Sequence, residues 1–304
     1  MIAIFNLNIQ EFFSDSAKSS IDDFCNNFEA LWKEYSIPNL NYIPKKKTAL
    51  SLSEVMSIVV LFHVIGYRNF KTFYIEYVSI FLQKDFPKLL SYNRFIELKK
   101  ACAFPLHAYL ISLSGQATGL FFVDSTPLKV CHSKRIHSHK VFKNIAKRGK
   151  SSTGWFYGFK LHVVVNDCGE LVAFMITSGS VDDRKTVPEM CKDLTGKLIG
   201  DKGYISKNLF SELITHSLQL ITKIKRNMKN TLMHVIDKVL LRKRGVIETI
   251  FDQLKNISQI EHSRHRSPIN FLVNLFAGLI AYSIKPKKPK LDLSKMHLKL
   301  LSMN

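Results

Sequence analysis

The chain has 304 residues, of which 46% are hydrophobic, so it is long and apolar enough to bury about two domain cores, which excludes wholesale disorder. Its 44 Lys and Arg outnumber its 24 Asp and Glu, which gives a net charge of +20 and favours a polyanionic partner, with nucleic acid ahead of a membrane surface. The surplus is uneven: residues 1–118 hold 12 basic and 10 acidic side chains, whereas residues 119–304 hold 32 and 14. The second part of the chain therefore carries the positive field.

The pattern of the first 115 residues or so predicts helices throughout. Ser51 and Glu54 form a capping-box pattern ahead of an amphipathic stretch that ends near Gly66. A second apolar stretch runs over 70–82, and a further helix is predicted from Ser91 to about residue 113. Two helices joined by a short glycine turn are compatible with a DNA-reading helix-turn-helix or with an ordinary helical hairpin.

From Gly119 the pattern changes to short strand-like runs between turn residues. We predict strands over 120–123, 159–165, 171–176, 197–199 and 218–222, the second and third forming a hairpin, with a helix over about 183–194. A helix over about 238–257 and a buried helix that starts at Ser267-Pro268 complete the pattern. Together these elements predict an α/β mixed sheet flanked by helices and preceded by an all-α region. The expected boundaries are a helical region 1–118, a mixed α/β domain 119–284 and a mobile basic tail 285–304.

Other features bear on the surroundings of the chain. The five cysteines are odd in number and contain no C-x-x-C pair, which indicates reduced thiols in a cytosol. The N-terminus lacks the basic start of a signal peptide, and the most apolar stretch, 269–284, is shorter than the ~20 residues that span a bilayer. We therefore expect a cytoplasmic protein without a membrane partner.

Two aspartates stand at the ends of predicted buried strands. Asp124 follows four apolar residues, and Asp201 follows Leu198-Ile199-Gly200. A carboxylate in that position needs a counter-ion, hydrogen-bond donors or a metal, and two such ends on neighbouring parallel strands would lie side by side. A divalent cation between them would relieve their repulsion. The alternative is that each aspartate caps the turn or helix that follows it.

A third candidate carboxylate, Glu248, lies in the predicted helix 238–257. At 100° per residue, Arg244, Glu248 and Lys255 form one charged stripe beside an apolar face. The stripe can equally be a solvated helix face with an Arg to Glu pair four residues apart, and Gly245 weakens the helix prediction.

These residues together resemble the DDE catalytic core of bacterial insertion-sequence transposases, which have an RNase H-like fold. The ordered set is Asp124, then Asp201 in Gly-Asp-Lys-Gly-Tyr204, then Glu248 within the Arg, Glu, Lys stripe, with gaps of 77 and 47 residues. More narrowly, Ile21-Asp-Asp-Phe24, Ser91-Tyr-Asn-Arg-Phe95 and Val123-Asp-Ser-Thr-Pro-Leu128 are similar to the IS nine-eight-two group. Related enzymes carry a Tyr three residues before the Arg, where this chain has Leu241.

The resemblance implies that Asp124, Asp201 and Glu248 are catalytic and bind two Mg²⁺ or Mn²⁺ ions. Arg244 and Lys255 would hold phosphates beside them. Between Ser125 and Asn166 the chain has nine basic residues and no acid, which predicts a long loop that binds the DNA backbone or, alternatively, a solvated loop. The expected phosphate contacts of this segment are Lys134, Arg135, Lys147, Arg148 and Lys150.

Three other interpretations of this basic segment are weaker. Cys131, His132, His137 and His139 lie within nine residues, but their spacing fits no standard zinc site. Gly149-Lys150-Ser151 lacks the first glycine of a phosphate-binding loop, since Asn144 stands there. Trp155, Phe156 and Tyr157 are compatible with base stacking, although aromatic residues before a strand more often pack into a core.

The resemblance thus implies a DNA transposase that cleaves the ends of its insertion sequence and joins them to target DNA. Its partners would be double-stranded DNA, both terminal inverted repeats and target, and it would act as a homodimer or larger assembly on DNA at the nucleoid. The alternatives are a non-transposing DNA-binding protein and a structure-selective nuclease on the same fold.

Overall fold

The computed structural model describes residues 21–34, 49–152, 154–224, 233–261 and 265–291. Within these ranges the chain divides into two compact units. The helical unit contains residues 1–113 and 254–285, and the sheet unit contains residues 114–253 and 286–304. Among the described residues, no helix is long and apolar enough to cross a membrane.

The helical unit is built on a helix that is apolar on nearly every side. Its helices are α1 (Ile21–Glu34), α2 (Leu52–Ile65), α3 (Phe70–Thr72 and Ser79–Phe81, joined by the π-helical turn Phe73–Val78), α4 (Tyr92–Leu98), α5 (Ala103–Ser112) and α10 (Pro268–Ser283). Helix α10 packs against α2 and α5, and twelve of its sixteen residues are buried. A helix with that composition is stable in water only when other helices surround it.

Local signals of the N-terminal half predicted these helices well. The capping box is present: the Glu54 amide donates to Ser51 Oγ (3.1 Å), and the Ser51 amide donates to Glu54 Oε2 (2.6 Å). Gly66 ends α2 with φ of 84°, a left-handed conformation that glycine adopts without strain. The aromatic side chains of α3 pack against Phe62 and Phe95, which gives the helical hairpin a solid core.

The sheet unit contains a mixed six-stranded sheet. Its elements are β1 (Leu120–Cys131), β2 (Lys147–Ser151), β3 (Gly154–Asn166), β4 (Leu171–Ser178), α6 (Val187–Met190), β5 (Gly196–Gly200), α7 (Lys207–Thr215), β6 (Leu218–Thr222), α8 (Val235–Lys243) and α9 (Gly245–Asp252). The order is β2-β3-β1-β5-β6. β2 and β4 pair with the same edge of β3: β2 pairs with residues 154–158 and β4 with residues 159–165.

One face of the sheet is covered by helices α6 and α7. Phe121, Val123 and Val164 on that face form one buried cluster with residues of both helices and with Leu198 of β5. On the other side, α9 packs against β1. Helices therefore flank the sheet as the sequence predicted, and β1 continues past the carboxyl end of β5.

The structure differs from several expected boundaries. Helix α10 belongs to the helical unit, although the expected domain 119–284 grouped it with the sheet. The reason is that α10 is apolar on nearly every side and packs against α2 and α5. The helix predicted over 183–194 is a short 3-10 turn, Asp183–Thr186, followed by α6. The start of the predicted mobile tail is ordered up to Leu291, whose amide donates to the Asp167 carbonyl (2.8 Å), and residues 292–304 lie outside the described residues.

Candidate active site

Asp124 and Asp201 lie at the edge of the sheet where β5 ends. The strand predicted over 120–123 continues to Cys131, so Asp124 lies within β1 and not at its end, whereas Asp201 directly follows β5. β1 and β5 are parallel neighbours, and their last paired residues are Phe122 and Ile199. Each aspartate comes two residues after its member of this pair, so the two strands bring the acids to one level. The parallel arrangement expected from the sequence is present.

The Asp124 carboxyl is a largely buried anion with incomplete compensation. The pKa of Asp124 is raised to about 6, mainly by burial and also by the nearby Asp201 carboxyl, while the Ser125 amide and Arg244 act in the opposite direction. The Ser125 amide donates to Asp124 Oδ1 (2.8 Å), and Arg244 Nη1 donates to Asp124 Oδ2 (3.0 Å). The charge at this position favours an additional cation.

Arg244 connects Asp124 to Glu248. Its Nη2 atom donates to Glu248 Oε1 (2.7 Å) while its Nη1 atom contacts Asp124, so one guanidinium is shared by carboxylates that are 124 residues apart in sequence. Arg244 is only 18% exposed. The pair four residues apart was expected; its link to β1 was not, because nothing in the local pattern encodes it.

A break in the predicted helix 238–257 places Arg244 in this position. The chain forms two helices, α8 and α9, and Arg244 is the junction residue immediately before Gly245. Lys197 Nζ on β5 pairs with Asp237 Oδ1 on α8 (2.6 Å). This ion pair holds α8 against the strand that precedes Asp201. Glycine weakens helix continuation, and here the helix stops beside it.

The sequence interpretation missed a fourth carboxylate, Asp183. Asp182 caps the 3-10 turn that follows it by accepting from the Arg184 amide (3.0 Å). Asp183 instead accepts from Ser125 Oγ (2.9 Å) and from Lys160 Nζ (2.7 Å). The sequence did contain a signal for a second role: two consecutive aspartates stand at the start of the turn, and one aspartate is enough to cap it.

Tyr204 lies among the acids of the edge. Its hydroxyl is buried, and burial raises the pKa of Tyr204 well above its usual value, with the carboxylates of Asp124, Asp183 and Asp201 acting in the same direction. The Tyr of the Gly-Asp-Lys-Gly-Tyr204 motif therefore faces the site from inside the core.

The donor chemistry of the edge fits a hard divalent cation. Carboxylate oxygens are the ligands that Mg²⁺ prefers, and the anion at Asp124 is insufficiently compensated. Within the part of the chain that the structure describes, however, no three His, Cys, Asp or Glu side chains converge as a metal-holding group. The side-chain arrangement is one in which Arg244 provides the positive charge between Asp124 and Glu248.

The structure places the expected phosphate-binding residues on different elements. Lys134 and Arg135 are exposed on a 3-10 turn after β1. Lys147, Arg148 and Lys150 lie on β2, which corrects the expectation of one long loop: residues 147–151 form a strand that pairs with β3. Lys255 belongs to the helical unit, where it pairs with Glu261 (2.9 Å), so the boundary between the units interrupts the expected Arg, Glu, Lys stripe.

The residues considered for zinc have other contacts. The ring of His139 stacks on Phe142, with centroids 5.6 Å apart, and His132 accepts from the Lys134 amide (3.3 Å). Both contacts are ordinary for a loop packed on a strand.

Comparison with known proteins identifies the family. The sequence profile described as Transposase DDE domain matches residues 114–268. The chain belongs to this family. Transposases of this family generally use divalent metal ions, in agreement with the donor chemistry of the edge. Among curated proteins, no relative is found by sequence comparison.

The fold agrees with this assignment. The structure is similar to a piggyBac transposase chain from a cryo-EM structure of a synaptic complex with hairpin DNA, with a TM-score of 0.51 and 11% sequence identity. The match covers 97% of this chain and 79% of that chain. The predicted fold class, a mixed sheet flanked by helices after a helical N-terminal region, is confirmed.

Proposed function

We propose that this DDE-family protein is the transposase of a bacterial insertion sequence in the IS nine-eight-two group. It would cleave DNA at the ends of its element with divalent metal and transfer the freed 3′ ends to target DNA. The observation that carries the proposal is the shared contact of Arg244 with Asp124 and Glu248, which joins the first and last acids of the DDE order at a single point.

In this proposal, Asp124, Asp201 and Glu248 are the catalytic carboxylates and the metal ligands. Bound divalent ions would supply charge neutralisation at the scissile phosphate and lower the pKa of the attacking water or 3′-hydroxyl. The carboxylates do not attack the phosphate themselves, so no covalent enzyme intermediate is needed. Positioning and electrostatic stabilisation account for the catalysis of phosphoryl transfer.

Arg244 has two tasks in this scheme. Without metal it neutralises Asp124 and Glu248, which keeps two nearby anions compatible with folding. Its five donors in a planar fork also suit a phosphate, so it would turn to the DNA once the carboxylates have another cation. Ser125 orients Asp124 through its amide, and Tyr204 keeps water from the inner side of the acids.

The proposed partners follow from charge and family. The substrate would be double-stranded DNA, comprising the terminal inverted repeats and the target, held by Lys134, Arg135, Lys147, Arg148 and Lys150. Two ends must be brought together for transposition, so the active form would be a homodimer or larger assembly on DNA at the bacterial nucleoid.

A cleavage assay on DNA that carries the element's ends tests the assignment. We expect Asp124→Asn and Glu248→Gln each to reduce Mg²⁺-dependent cleavage by at least ~10²-fold, because each removes a charge needed at the phosphate, while DNA affinity stays within about threefold. Glu212→Gln, an exposed acid on α7, is the matched control and should cleave normally. Normal cleavage by either site variant would contradict the site.

The same assay separates the two remaining functions. Cleavage of element ends without joining to a target plasmid would identify a structure-selective nuclease. Specific binding without cleavage by the unaltered protein, in Mg²⁺ or Mn²⁺, would identify a DNA-binding protein that does not transpose.

A further inference from the structure

The end of the β2–β3 hairpin presents an exposed tryptophan. In the run Trp155-Phe156-Tyr157, Phe156 and Tyr157 are buried, whereas Trp155 is 66% exposed. Tryptophan is highly buried on average, so its exposure at the tip of a strand pair is unusual for a residue that only supports the fold.

Packing on the inner face of the hairpin keeps Trp155 outside. Gly149 and Phe156 are register partners, and a Cβ added at Gly149 would lie 2.1 Å from the Gly179 carbonyl oxygen. The inner face of the hairpin therefore has no room for a further side chain at this position. Because successive strand residues alternate, the next pair, Lys150 and Trp155, must face outward.

The outward face combines the ring with cations. Lys150 Nζ lies 5.9 Å from the centroid of the Trp155 ring, and Arg148, two residues before Lys150, shares its face by alternation. No acid occurs between Ser125 and Asn166. An exposed aromatic plane with cations on the same strand face is complementary to a nucleobase with its flanking phosphates.

Strand geometry relates this face to the site. Asp124 pairs with Val163 on β3, eight residues beyond Trp155. Eight is an even number, so Trp155 and Asp124 lie on the same face of the ribbon, and at ~3.3 Å per residue they are roughly 26 Å apart along it. With ~3.4 Å per nucleotide step, that span corresponds to about eight base pairs of duplex.

The loop between the two points is also basic and sits on this face. Tyr157 donates a hydrogen bond to the Phe142 carbonyl (3.3 Å), and Phe142 packs edge-on against Phe159. Tyr157 and Phe159 share the face of Trp155 by alternation, so the loop that carries Lys134, Arg135, Lys140 and Lys143 lies between the acids and the hairpin tip. DNA held at the acids would pass these exposed cations before it reaches Trp155.

We propose that Trp155, with Arg148 and Lys150, forms a binding site for an unpaired nucleobase of DNA about eight nucleotides from the phosphate held at Asp124. The base must be unpaired because the faces of paired bases are covered by their neighbours in the stack. The inference deepens the proposed function, since it names a structural feature of the DNA that the protein holds.

Tryptophan fluorescence tests the stacking directly. The chain contains two tryptophans, Trp32 and Trp155, so Trp32→Phe leaves Trp155 as the single indole. The variant is titrated with a duplex that carries an unpaired stretch about eight nucleotides from one end, and with a fully paired duplex of equal length. We expect strong quenching by the first DNA and little by the second; unchanged emission while fluorescence anisotropy of labelled DNA reports binding would overturn the proposal. If Trp32→Phe is unstable, the difference between wild type and Trp155→Phe gives the same signal.

Affinity variants give an independent measurement. Trp155→Ala should weaken binding to the unpaired DNA by about 5- to 150-fold, the range for losing one stacked base, without changing the salt slope, and Trp155→Phe should retain most of the affinity. Lys150→Ala should lower the slope of log K against log salt by about 0.7 to 0.9. Phe210→Ala, another exposed aromatic residue of the sheet unit, is the control. Equal affinity of Trp155→Ala and wild type would also overturn the proposal.

These experiments need no cleavage. Loss of cutting in Asp124→Asn bears on the proposed function, whereas quenching of Trp155 bears on this site, so either can fail without the other. A 2-aminopurine moved along the unpaired strand should report its largest change near the eighth nucleotide from the cut.

Discussion

Asp183 shows how one side chain can support the acids without joining them. Its two oxygens accept from Ser125 Oγ and Lys160 Nζ, and the Ser125 amide in turn donates to Asp124. Lys160 Nζ also donates to the Val181 carbonyl (2.9 Å), so the cation is fixed at two points. We interpret Asp183 as a positioning residue that holds the backbone beside Asp124.

Substitution of Asp183 should therefore affect cleavage more than binding. We expect Asp183→Ala to lower the cleavage rate by ~10- to 100-fold because Asp124 loses its orientation, and Asp183→Asn to lower it less because an oxygen acceptor for Ser125 remains. The half-saturating Mg²⁺ concentration should rise in both variants, whereas DNA affinity should stay near wild type.

A second substitution distinguishes positioning from general loss of stability. Asp183→Asn leaves the half-buried Lys160 without its counter-ion, so adding Lys160→Met should recover part of the lost rate. Asp193→Asn, an exposed acid of the same unit, is the control for a change of charge alone. Wild-type kinetics and Mg²⁺ dependence for Asp183→Ala would show that this interpretation is wrong.

His63 makes the helical unit sensitive to acid. The ring is buried, its Nδ1 lies 2.6 Å from the Ser258 carbonyl, and burial lowers the pKa of His63 to about 4. Between pH 6.5 and 4 the unfolded state binds a proton that the folded state does not, so the free energy of unfolding falls as the pH falls. For this buried group the full effect is about 3 kcal/mol, at about 1.36 kcal/mol per pKa unit.

Chemical denaturation at pH 7.5 and pH 5 measures this contribution. His63→Gln should be less stable than wild type at pH 7.5 but should lose less stability on acidification. Burial also lowers the pKa of His107 and His265 to about 4, so part of the pH dependence should remain in the variant. His216→Gln, at an exposed position, should keep the wild-type slope, and an unchanged slope in His63→Gln would contradict the prediction.

Elements depend on neighbours as well as on their own pattern. Periodicity and caps predicted α2, the β3–β4 hairpin and the start of α10 correctly. The same periodicity predicted one helix over 238–257, whereas the chain breaks at Arg244. Gly245 costs a continuous helix only about 1 kcal/mol relative to alanine, so contacts of α8 and α9 with β5 and β1 help to decide where the helix breaks.

The helical unit should require helix α10 for its stability, although α10 is far in sequence from the other helices of the unit. Its packing against α2 and α5 supplies much of the core, and Gly278 lies so close to Ile260 that an added Cβ would be 2.5 Å from Cγ2. A chain that stops after Gln253 should therefore lose the cooperative unfolding transition of the helical unit, because residues 1–113 cannot cover their apolar faces alone.

A chain that stops after Lys285 is the matched control for this truncation. It keeps α10 and should keep the transition of the helical unit in thermal unfolding followed by circular dichroism. Retention of that transition by the shorter chain would show that α10 is dispensable for the unit.

At the scale of the whole molecule, the distribution of charge and the order of the acids were already in the sequence. A net charge of +20 concentrated after residue 118 is an additive feature, so the sequence alone suffices to predict a polyanion-binding protein. The order of Asp124, Asp201 and the Arg-x-x-x-Glu pattern carries the resemblance to DDE transposases. Family membership confirms the coarse part of that prediction, and the roles of individual residues stay predictions.

Only the tertiary structure decided which side chains meet. In the structure, Arg244 contacts Asp124 as well as Glu248, and Asp183 accepts a hydrogen bond from Ser125. Lys255 pairs with Glu261, and α10 belongs to the helical unit. Caps, turns and periodicity act over a few residues and are readable in sequence. Contacts between residues a hundred positions apart depend on how whole elements pack, and that is a property of the complete core.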